Sequence, residues 1–228
     1  WVGVWLVGVS HFNGTTFTDY TIADGLPTNG VNSIAFDAMG NTWFATPLGV
    51  AKLDGSGITV YNTSNGLVHE TVKTVVIDSQ NNKWFGTANG SSKFDGTQWV
   101  TYLAPPGLID NNITDIAIDG NGNKWFGTYS GISKFNGSVW VNYNATNSAL
   151  NSQFVTSVAI DDSNNVWCGT GGGVFKFNGS VWTQINSIPF GLLTGVIRDV
   201  YIDEDGNKWF ATDNGVIKFD DTNWSNYT

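Results

Sequence analysis

The chain has 228 residues, 10 basic and 19 acidic, a formal net charge of −9, and a single cysteine, Cys168. A surface this acidic repels phosphate backbones and anionic lipids, so nucleic acid and bilayer surfaces are poor partners. No apolar run is long enough to span a membrane, and a lone cysteine excludes an intramolecular disulfide.

In chain order, one phrase keeps returning. Trp1-Val2-Gly3-Val4 opens the chain as a degraded copy. Asn41-Thr42-Trp43-Phe44-Ala45-Thr46, Asn82-Lys83-Trp84-Phe85-Gly86-Thr87, Asn123-Lys124-Trp125-Phe126-Gly127-Thr128, Asn165-Val166-Trp167-Cys168-Gly169-Thr170 and Asn207-Lys208-Trp209-Phe210-Ala211-Thr212 follow. The last five tryptophans are 41, 41, 42 and 42 residues apart, and Trp1 lies 42 before Trp43. A fixed period of this length marks a repeat architecture.

The unit around Trp125 predicts four strands. Residues 113–119 are β-branched and largely apolar, a buried strand A. Gly120-Asn121-Gly122-Asn123 tolerates positive φ and closes a tight hairpin. Residues 124–128 form strand B and 132–135 form strand C. Asn136-Gly137-Ser138 then turns the chain into an alternating, more polar strand D over 139–143. Four antiparallel strands and a 41-residue period describe a propeller blade, and no segment shows helical spacing of apolar residues. One large aromatic per blade fills the wedge between successive sheets. Gly86, Gly127 and Gly169 are expected to keep the opposite face thin.

Strand A recurs at 31–37, 72–78, 113–119, 155–161 and 197–203, which gives five complete blades. Before them lie only strands B, C and D of another. The predicted fold is all-β, a six-bladed propeller of four-stranded antiparallel blades whose first blade lacks its innermost strand. One domain over 1–228 is expected, with blade 1 at 1–22 and the others near 23–63, 64–104, 105–146, 147–188 and 189–228. The open edge in blade 1 invites pairing with another chain. Loss or processing of a short preceding segment is the favoured explanation, and the chain shows no signal-peptide pattern.

The pattern V-x-x-I-x-x-D, then G-N-x-W-F-G-T, G-V-x-K-F and W-x-x-Y resembles the two-component regulator propeller repeat. Val72 to Asp78, Trp84-Phe85-Gly86-Thr87, Lys93-Phe94-Asp95-Gly96 and Trp99-Val100-Thr101-Tyr102 carry it. The resemblance implies either a periplasmic sensor domain that binds oligosaccharides or a secreted or surface protein. The Trp-Phe-Gly-Thr wording is more similar to the secreted bacterial arrays.

Residues that recur in every blade belong to the framework. Lys52, Lys93, Lys134, Lys176 and Lys218 recur in strand C and are expected near the strand A aspartates Asp37, Asp78, Asp119, Asp161 and Asp203. Lys83, Lys124 and Lys208 recur before the tryptophan. The remaining cations, Lys73 and Arg198, occupy the second position of a strand A, with Asp115 and Asp199 at the third. These four, with His69 and Glu70 in a D–A loop and Tyr129 in a B–C loop, are the predicted ligand contacts. Pro105-Pro106-Gly107 stiffens a D–A loop on the same face.

Catalysis is not expected. His11 stands where other blades have a strand C lysine. Cys168 replaces a strand B phenylalanine, as a buried thiol would. His69 has no nucleophile beside it. Streptogramin lyases are propellers with related repeats, but their chemistry needs a histidine base and a metal-binding acid. The A–B turns at 119–123 and 203–207 have acids and amides at alternate positions, yet lack the distal glutamate of a calcium loop. No cofactor is expected, with calcium as the alternative.

The sequence therefore reads as a non-enzymatic binding module of an extracytoplasmic bacterial protein, extracellular or periplasmic. Its expected partner is a glycan, peptide or protein on the D–A/B–C face. Two alternatives stand beside this reading. One is an assembly unit that self-associates or accepts a strand through its open first blade. The other is a periplasmic sensor domain.

Overall fold

The computed structural model describes residues 1–4, 7–150, 152–185 and 196–227; the expected junction of blades 5 and 6 near residue 188 lies outside them. Six antiparallel sheets follow one another along the chain, three-stranded in the first case and four-stranded in the rest. Blade 1 holds β1 (Val2–Val4), β2 (Gly8–Phe12) and β3 (Phe17–Tyr20). Blade 2 holds β4 (Ser33–Phe36), β5 (Thr42–Thr46), β6 (Gly49–Asp54) and β7 (Gly57–Tyr61). Blade 3 holds β8 (Val72–Ile77), β9 (Lys83–Thr87), β10 (Gly90–Phe94) and β11 (Trp99–Tyr102). Blade 4 holds β12 (Ile113–Ile118), β13 (Lys124–Thr128), β14 (Gly131–Phe135) and β15 (Trp140–Tyr143). Blade 5 holds β16 (Val155–Ile160), β17 (Val166–Thr170), β18 (Gly173–Phe177) and β19 (Trp182–Gln184). Blade 6 holds β20 (Ile197–Ile202), β21 (Lys208–Thr212), β22 (Gly215–Phe219) and β23 (Trp224–Tyr227). The described residues contain no α-helix, only two 3-10 turns at Ile22–Asp24 and Thr63–Asn65. This is the predicted six-bladed propeller array, with strand A absent from blade 1.

Two compact units divide the chain. The first comprises 1–103 with 111–113, and the second comprises 104–110 with 114–228. Blades 2 to 6 are each knotted at one end by the same device. In blade 4 the Asp119 carboxylate, at the end of strand A, accepts from the backbone N–H groups of Asn121 and Asn123, each at 3.0 Å. It also accepts from Asn123 Nδ2 at 2.7 Å and from Trp125 Nε1 at 2.9 Å. The indole bond recurs from Trp43 to Asp37, Trp84 to Asp78, Trp167 to Asp161 and Trp209 to Asp203 at 2.7–2.9 Å. The conserved wording of the repeat is thus one unit of structure. Aspartate, then asparagine four residues on and tryptophan six residues on, places every donor of the hairpin on one carboxylate and lets a buried indole N–H find a partner.

The other hairpins follow from short polar side chains. Asn136 Oδ1 accepts from Ser138 and Val139 N–H at 2.9 and 2.8 Å, an Asx turn joining C to D. Thr128 Oγ1 donates to the Gly131 carbonyl at 2.8 Å across the B–C turn. Gly131 has φ +132°, and a Cβ there would lie 2.2 Å from the Tyr143 carbonyl oxygen, so only glycine fits.

The strand C lysines lie near the strand A aspartates as expected, close enough for Lys52 and Asp37, and Lys176 and Asp161, to attract one another by charge, and the tryptophan stands between them. Trp125 pairs directly with Lys134 and Trp167 with Lys176 in the sheet registers. The ammonium groups of Lys134, Lys176 and Lys218 consequently lie 4.9, 4.9 and 5.3 Å over the indoles of their own blades. Their first neighbour is the ring whose N–H is tied to the aspartate, while Lys52 bonds Asp54 at 2.7 Å. Two of the lysines preceding the tryptophans, Lys83 and Lys208, reach back to the preceding blade. Lys83 Nζ is 3.6 Å from Asp37 and 5.4 Å over Trp43, and Lys208 Nζ is 5.5 Å over Trp167. In blade 1 His11 takes the lysine's part and stacks on Trp1 at 4.4 Å.

The glycine expectation needs correction. Gly169 shares its face with Trp167, two residues before it, because side chains alternate along a strand. A Cβ on Gly169 would lie 2.6 Å from Ile197 Cγ2 of blade 6, and one on Gly86 would lie 2.6 Å from Ile113 Cγ2. The glycine admits the next strand A beside the tryptophan. The opposite face is filled by Phe85, Phe126, Cys168 and Phe210, all fully buried.

Candidate functional site

The second and third residues of strand A stitch neighbouring blades together. In the first unit Asn32 Nδ2 donates to the Val72 carbonyl at 2.7 Å, and Ser33 Oγ accepts from Val75 N–H at 3.2 Å. In the second unit Thr156 Oγ1 donates to the Ile197 carbonyl at 2.6 Å. Asp115 Oδ2 accepts from Val158 N–H at 2.8 Å, and Ser157 Oγ accepts from Val200 N–H at 3.2 Å. At these three junctions, within the two units, the third residue of one strand A receives the fourth N–H of the next.

Asp115 and Asp199, two of the predicted contacts, are brought together by this stitching. Ser157 Oγ lies 2.7 Å from Asp199 Oδ1 and 3.1 Å from Asp115 Oδ2. A hydroxyl has one proton and can donate to one of them at a time. Burial pushes the Asp115 carboxyl above its usual range and the charge of Asp199 adds to this, against hydrogen bonds from Val158, Ile116 and Ser157 that pull it down. With Asp115 protonated, its hydroxyl donates to Ser157 and Ser157 donates to Asp199, so each group in the chain is satisfied.

The other predicted contacts lie apart. Lys73 Nζ donates to Asn112 Oδ1 in the first unit. His69 Nδ1 accepts from Thr71 N–H at 3.0 Å, and Glu70 accepts from Thr63 Oγ1 at 3.1 Å, so both shape their own D–A loop. In the second unit Arg198 Nε pairs with Asp213 Oδ1 at 2.7 Å in the open.

Tyr129 has a partner that sequence reasoning missed. The Phe154 ring, from the next D–A loop, stands edge-on to it at 4.8 Å and 87°. Both rings are exposed. Beside Tyr129, Ser130 Oγ donates to Asp110 Oδ2 at 2.5 Å. Beside Phe154, Gly171 N–H donates to the Phe154 carbonyl at 3.1 Å, and the Gly171-Gly172 backbone offers a floor without side chains. Two aromatic faces, a carboxylate and bare backbone thus meet at the D–A/B–C end of the second unit. Phe154 could have been found by the signal that found Tyr129, an aromatic residue outside the repeated positions.

The opposite end of this unit holds a cleft. Asn164 Oδ1 in blade 5 clasps Gly120 N–H in blade 4 at 2.6 Å, and Asn81 likewise clasps Ala38 at 3.0 Å in the first unit. Gly206 occupies the corresponding position in blade 6. There the A–B turns leave about 370 Å³ lined by Asp161, Asp162, Asp205, Lys176, Lys208 and Asp221. Lys208 is tied to Asp221 at 2.6 Å.

The knots give a pH dependence. Burial would raise Asp37, but bonds from Trp43 and Asn41 outweigh it and hold the carboxyl at about 2 against 3.8. The Trp209 and Asn207 bonds hold Asp203 at about 2. Asp119 and Asp161 are lowered in the same way, against their own burial. A depressed carboxyl contributes stability that is fully present above 3.8 and lost as pH falls toward 2. Asp115, being raised, acts in the opposite sense, and its contribution is lost as pH rises through its elevated value. The melting temperature is expected to fall steeply between pH 4 and pH 2; a flat profile there would contradict the knot.

Residues 107–130 match the family model described as two component regulator propeller. That span runs from the D–A loop through strand A and the tryptophan strand to Tyr129, and it bears out the resemblance read from the repeat. No curated protein matches the chain. Among solved structures, the chain is similar to the extracellular domain of a hybrid two component system of B. thetaiotaomicron, with TM-score 0.73 and 24% identity over 87% of this chain and 28% of that one. It is similar to the extracellular domain of a one component system from the same organism, with TM-score 0.78 and 18% identity over 97% and 30%. It is also similar to virginiamycin B lyase from Staphylococcus aureus, with TM-score 0.72 and 17% identity over 87% and 70%. The chain spans less than a third of the length of the first two. At these identities the likeness is one of fold, and this propeller fold carries both extracellular domains of regulators and a lyase.

Proposed function

We propose that this chain, which carries a two component regulator propeller repeat, is a non-enzymatic binding module of an extracytoplasmic bacterial protein. In this reading it takes a neutral oligosaccharide at the D–A/B–C end of its second unit. The observation that carries the proposal is the exposed Tyr129–Phe154 pair beside Asp110 and Ser130. Crossed aromatic faces cover the apolar faces of a sugar, while the Asp110 carboxylate and the Ser130 hydroxyl oxygen accept from hydroxyl groups at its rim. The acidic surface favours a neutral or cationic ligand over an anionic one.

Several features support binding without catalysis. His11 is stacked under Trp1, and the Nδ1 of His69 is engaged in its own loop. Burial pushes the Cys168 thiol far up, which keeps it from acting as a thiolate nucleophile. No cofactor is invoked, and the A–B turn aspartates direct their oxygens at N–H donors that a calcium ion would have to displace. Among the described residues no helix is long and apolar enough to cross a membrane. A second reading, an assembly unit completed by a donated strand, draws on blade 1, where among the described residues β1 is hydrogen-bonded to β2 alone.

The test is calorimetric titration with maltohexaose, cellohexaose and laminarihexaose. At least one is expected to bind saturably. Loss of one stacking face is worth about 1.4 kcal/mol, so Tyr129→Ala and Phe154→Ala should each weaken binding about tenfold. Arg198→Ala should leave it unchanged. Heats that do not saturate with any of the three sugars, or unchanged affinity in both aromatic variants, would overturn the proposal.

A further inference from the structure

The outer edge of the second unit holds a cavity of about 200 Å³ between blades 4 and 5. Tyr143 at the end of β15, Asn147 and Ala149 in the D–A loop, and Val181 and Trp182 at the start of β19 line it. A single change in the repeat accounts for the gap. Each D–A loop carries a small residue before a buried leucine, and that residue packs against the strand D tryptophan of the same blade. Gly66 meets Trp99 and Gly107 meets Trp140, and a Cβ on either would lie 2.9 or 3.0 Å from the ring. Against Trp182 the same place is held by Ala149, followed by the buried Leu150. Ala149 carries the Cβ that the tighter packing excludes, so loop and indole stand apart and leave the cavity between them.

The cavity has an unmet hydrogen bond in its wall. Trp182 is 4% exposed, whereas Trp99, Trp140 and Trp224 at the same place in their blades are only partly buried. The Trp182 Nε1–H is buried and has no hydrogen-bond partner among the described residues. Such groups are rare in folded proteins and call for an explanation. No charged side chain lines the cavity, and its one amide is engaged at both ends. Asn147 Nδ2 donates to the Asn142 carbonyl and Oδ1 accepts from Asn144 N–H, each at 2.9 Å. The Tyr143 and Trp182 rings are crossed at 65° with centres 5.8 Å apart. Val181 is 58% exposed, and Val141, on the strand face that Tyr143 shares, is exposed as well.

We propose that this cavity takes a prolyl residue of an extended peptide, its ring against Tyr143 and Trp182 and its carbonyl oxygen accepting from Trp182 Nε1. An uncharged aromatic cavity with a spare donor calls for an acceptor that brings no donor of its own. Most peptide units bring an N–H with their carbonyl, but the proline nitrogen carries none. A proline-rich segment is also held in the polyproline II conformation before it docks, so little freedom is lost in an aromatic groove. The volume is below the roughly 300–1,000 Å³ of sites that enclose a drug-sized ligand, which suits one residue presented by a longer chain. An oligosaccharide is disfavoured here, because its hydroxyl groups need acceptors and the cavity offers no carboxylate. This inference does not depend on the sugar site at Tyr129 and Phe154.

The test is a titration of the isotope-labelled chain with octaproline, followed by proton–nitrogen NMR at the indole N–H of Trp182, the signal missing from Trp182→Phe. That signal should move downfield and saturate, and a glycine–serine octapeptide should leave it in place. By calorimetry, Trp182→Phe should bind octaproline about tenfold more weakly for want of the donor. Ala149→Gly, which lets the loop close on the indole, should lose binding as well. A Trp182 signal that stays fixed at the highest octaproline concentration would overturn the proposal, whether or not the variants fold. So would equal affinity of the parent chain and Trp182→Phe. Movement of the signal with maltohexaose and not with octaproline would give the cavity to a sugar and overturn it too. Tyr129→Ala should leave octaproline binding unchanged; a tenfold loss there would place the peptide at the Tyr129 site instead, against the proposal.

Discussion

Replacing Asp119 with alanine is expected to destabilise the second unit by about 2–4 kcal/mol, read as a drop in the urea midpoint. The estimate follows from what the substitution leaves behind. Trp125 Nε1 and Asn123 Nδ2 lose their acceptor, as do the N–H groups of Asn121 and Asn123. The two backbone donors sit in a turn and can turn to water. The indole N–H of Trp125, a residue 2% exposed, cannot. Asp119→Asn keeps one acceptor oxygen and should cost about half as much. Asp220→Ala is the comparison, since Asp220 closes an exposed turn by accepting from Thr222 and Asn223, donors that water can satisfy, so its loss should cost clearly less. If Asp119→Ala costs no more than Asp220→Ala, the knot is not what holds the hairpin to the tryptophan.

The second large effect is a contrast between two tryptophans at equivalent positions. Trp167→Ala should cost about 3–5 kcal/mol, because it opens a cavity between Val174, Phe210 and Ile197 in a closed interface. Trp209→Ala should cost about 1–2 kcal/mol, because that residue is only partly buried where Trp167 is fully buried, so the Asp203 bond and less packing are lost. Chemical denaturation of the two variants in parallel measures the difference. Equal costs would mean that Trp209 is buried as deeply as Trp167.

Most of the fold was legible because a repeat states each element several times. The 41- and 42-residue spacing, the Asx- and Gly-rich turns and the alternation of strand D located the strands, including the three of blade 1. What the sequence could not give was which repeated residues touch. Lys134 and Asp119 both recur, and opposite charge places one near the other. The sheet register adds what charge alone does not show, that the lysine stands opposite Trp125 while the aspartate takes N–H donors. Gly169 was assigned to the wrong face because its role was inferred from size alone, whereas strand alternation puts it beside Trp167.

The candidate site was less legible. Tyr129 stood out by departing from the repeat, but its partner Phe154 belongs to the next blade, and only the packing of consecutive sheets brings the two loops together. Asp115 and Asp199 are predicted as ligand contacts from their place at the third position of strand A. The structure uses them to stitch strand A to strand A through Ser157, a role that becomes visible only when residues 42 positions apart are seen as neighbours. Lys73 and Arg198, chosen as the cations outside the repeat pattern, each face a loop residue, Asn112 and Asp213.

The most direct test of the binding proposal is a two-dimensional aromatic NMR spectrum of the labelled chain, recorded while the hexasaccharide that gave calorimetric heat is added. The proposal predicts that Tyr129 and Phe154 ring signals shift together and saturate at the calorimetric midpoint, while Trp125 and Trp167 signals stay fixed. Shifts confined to other residues, with Tyr129 and Phe154 unmoved at saturation, would contradict it.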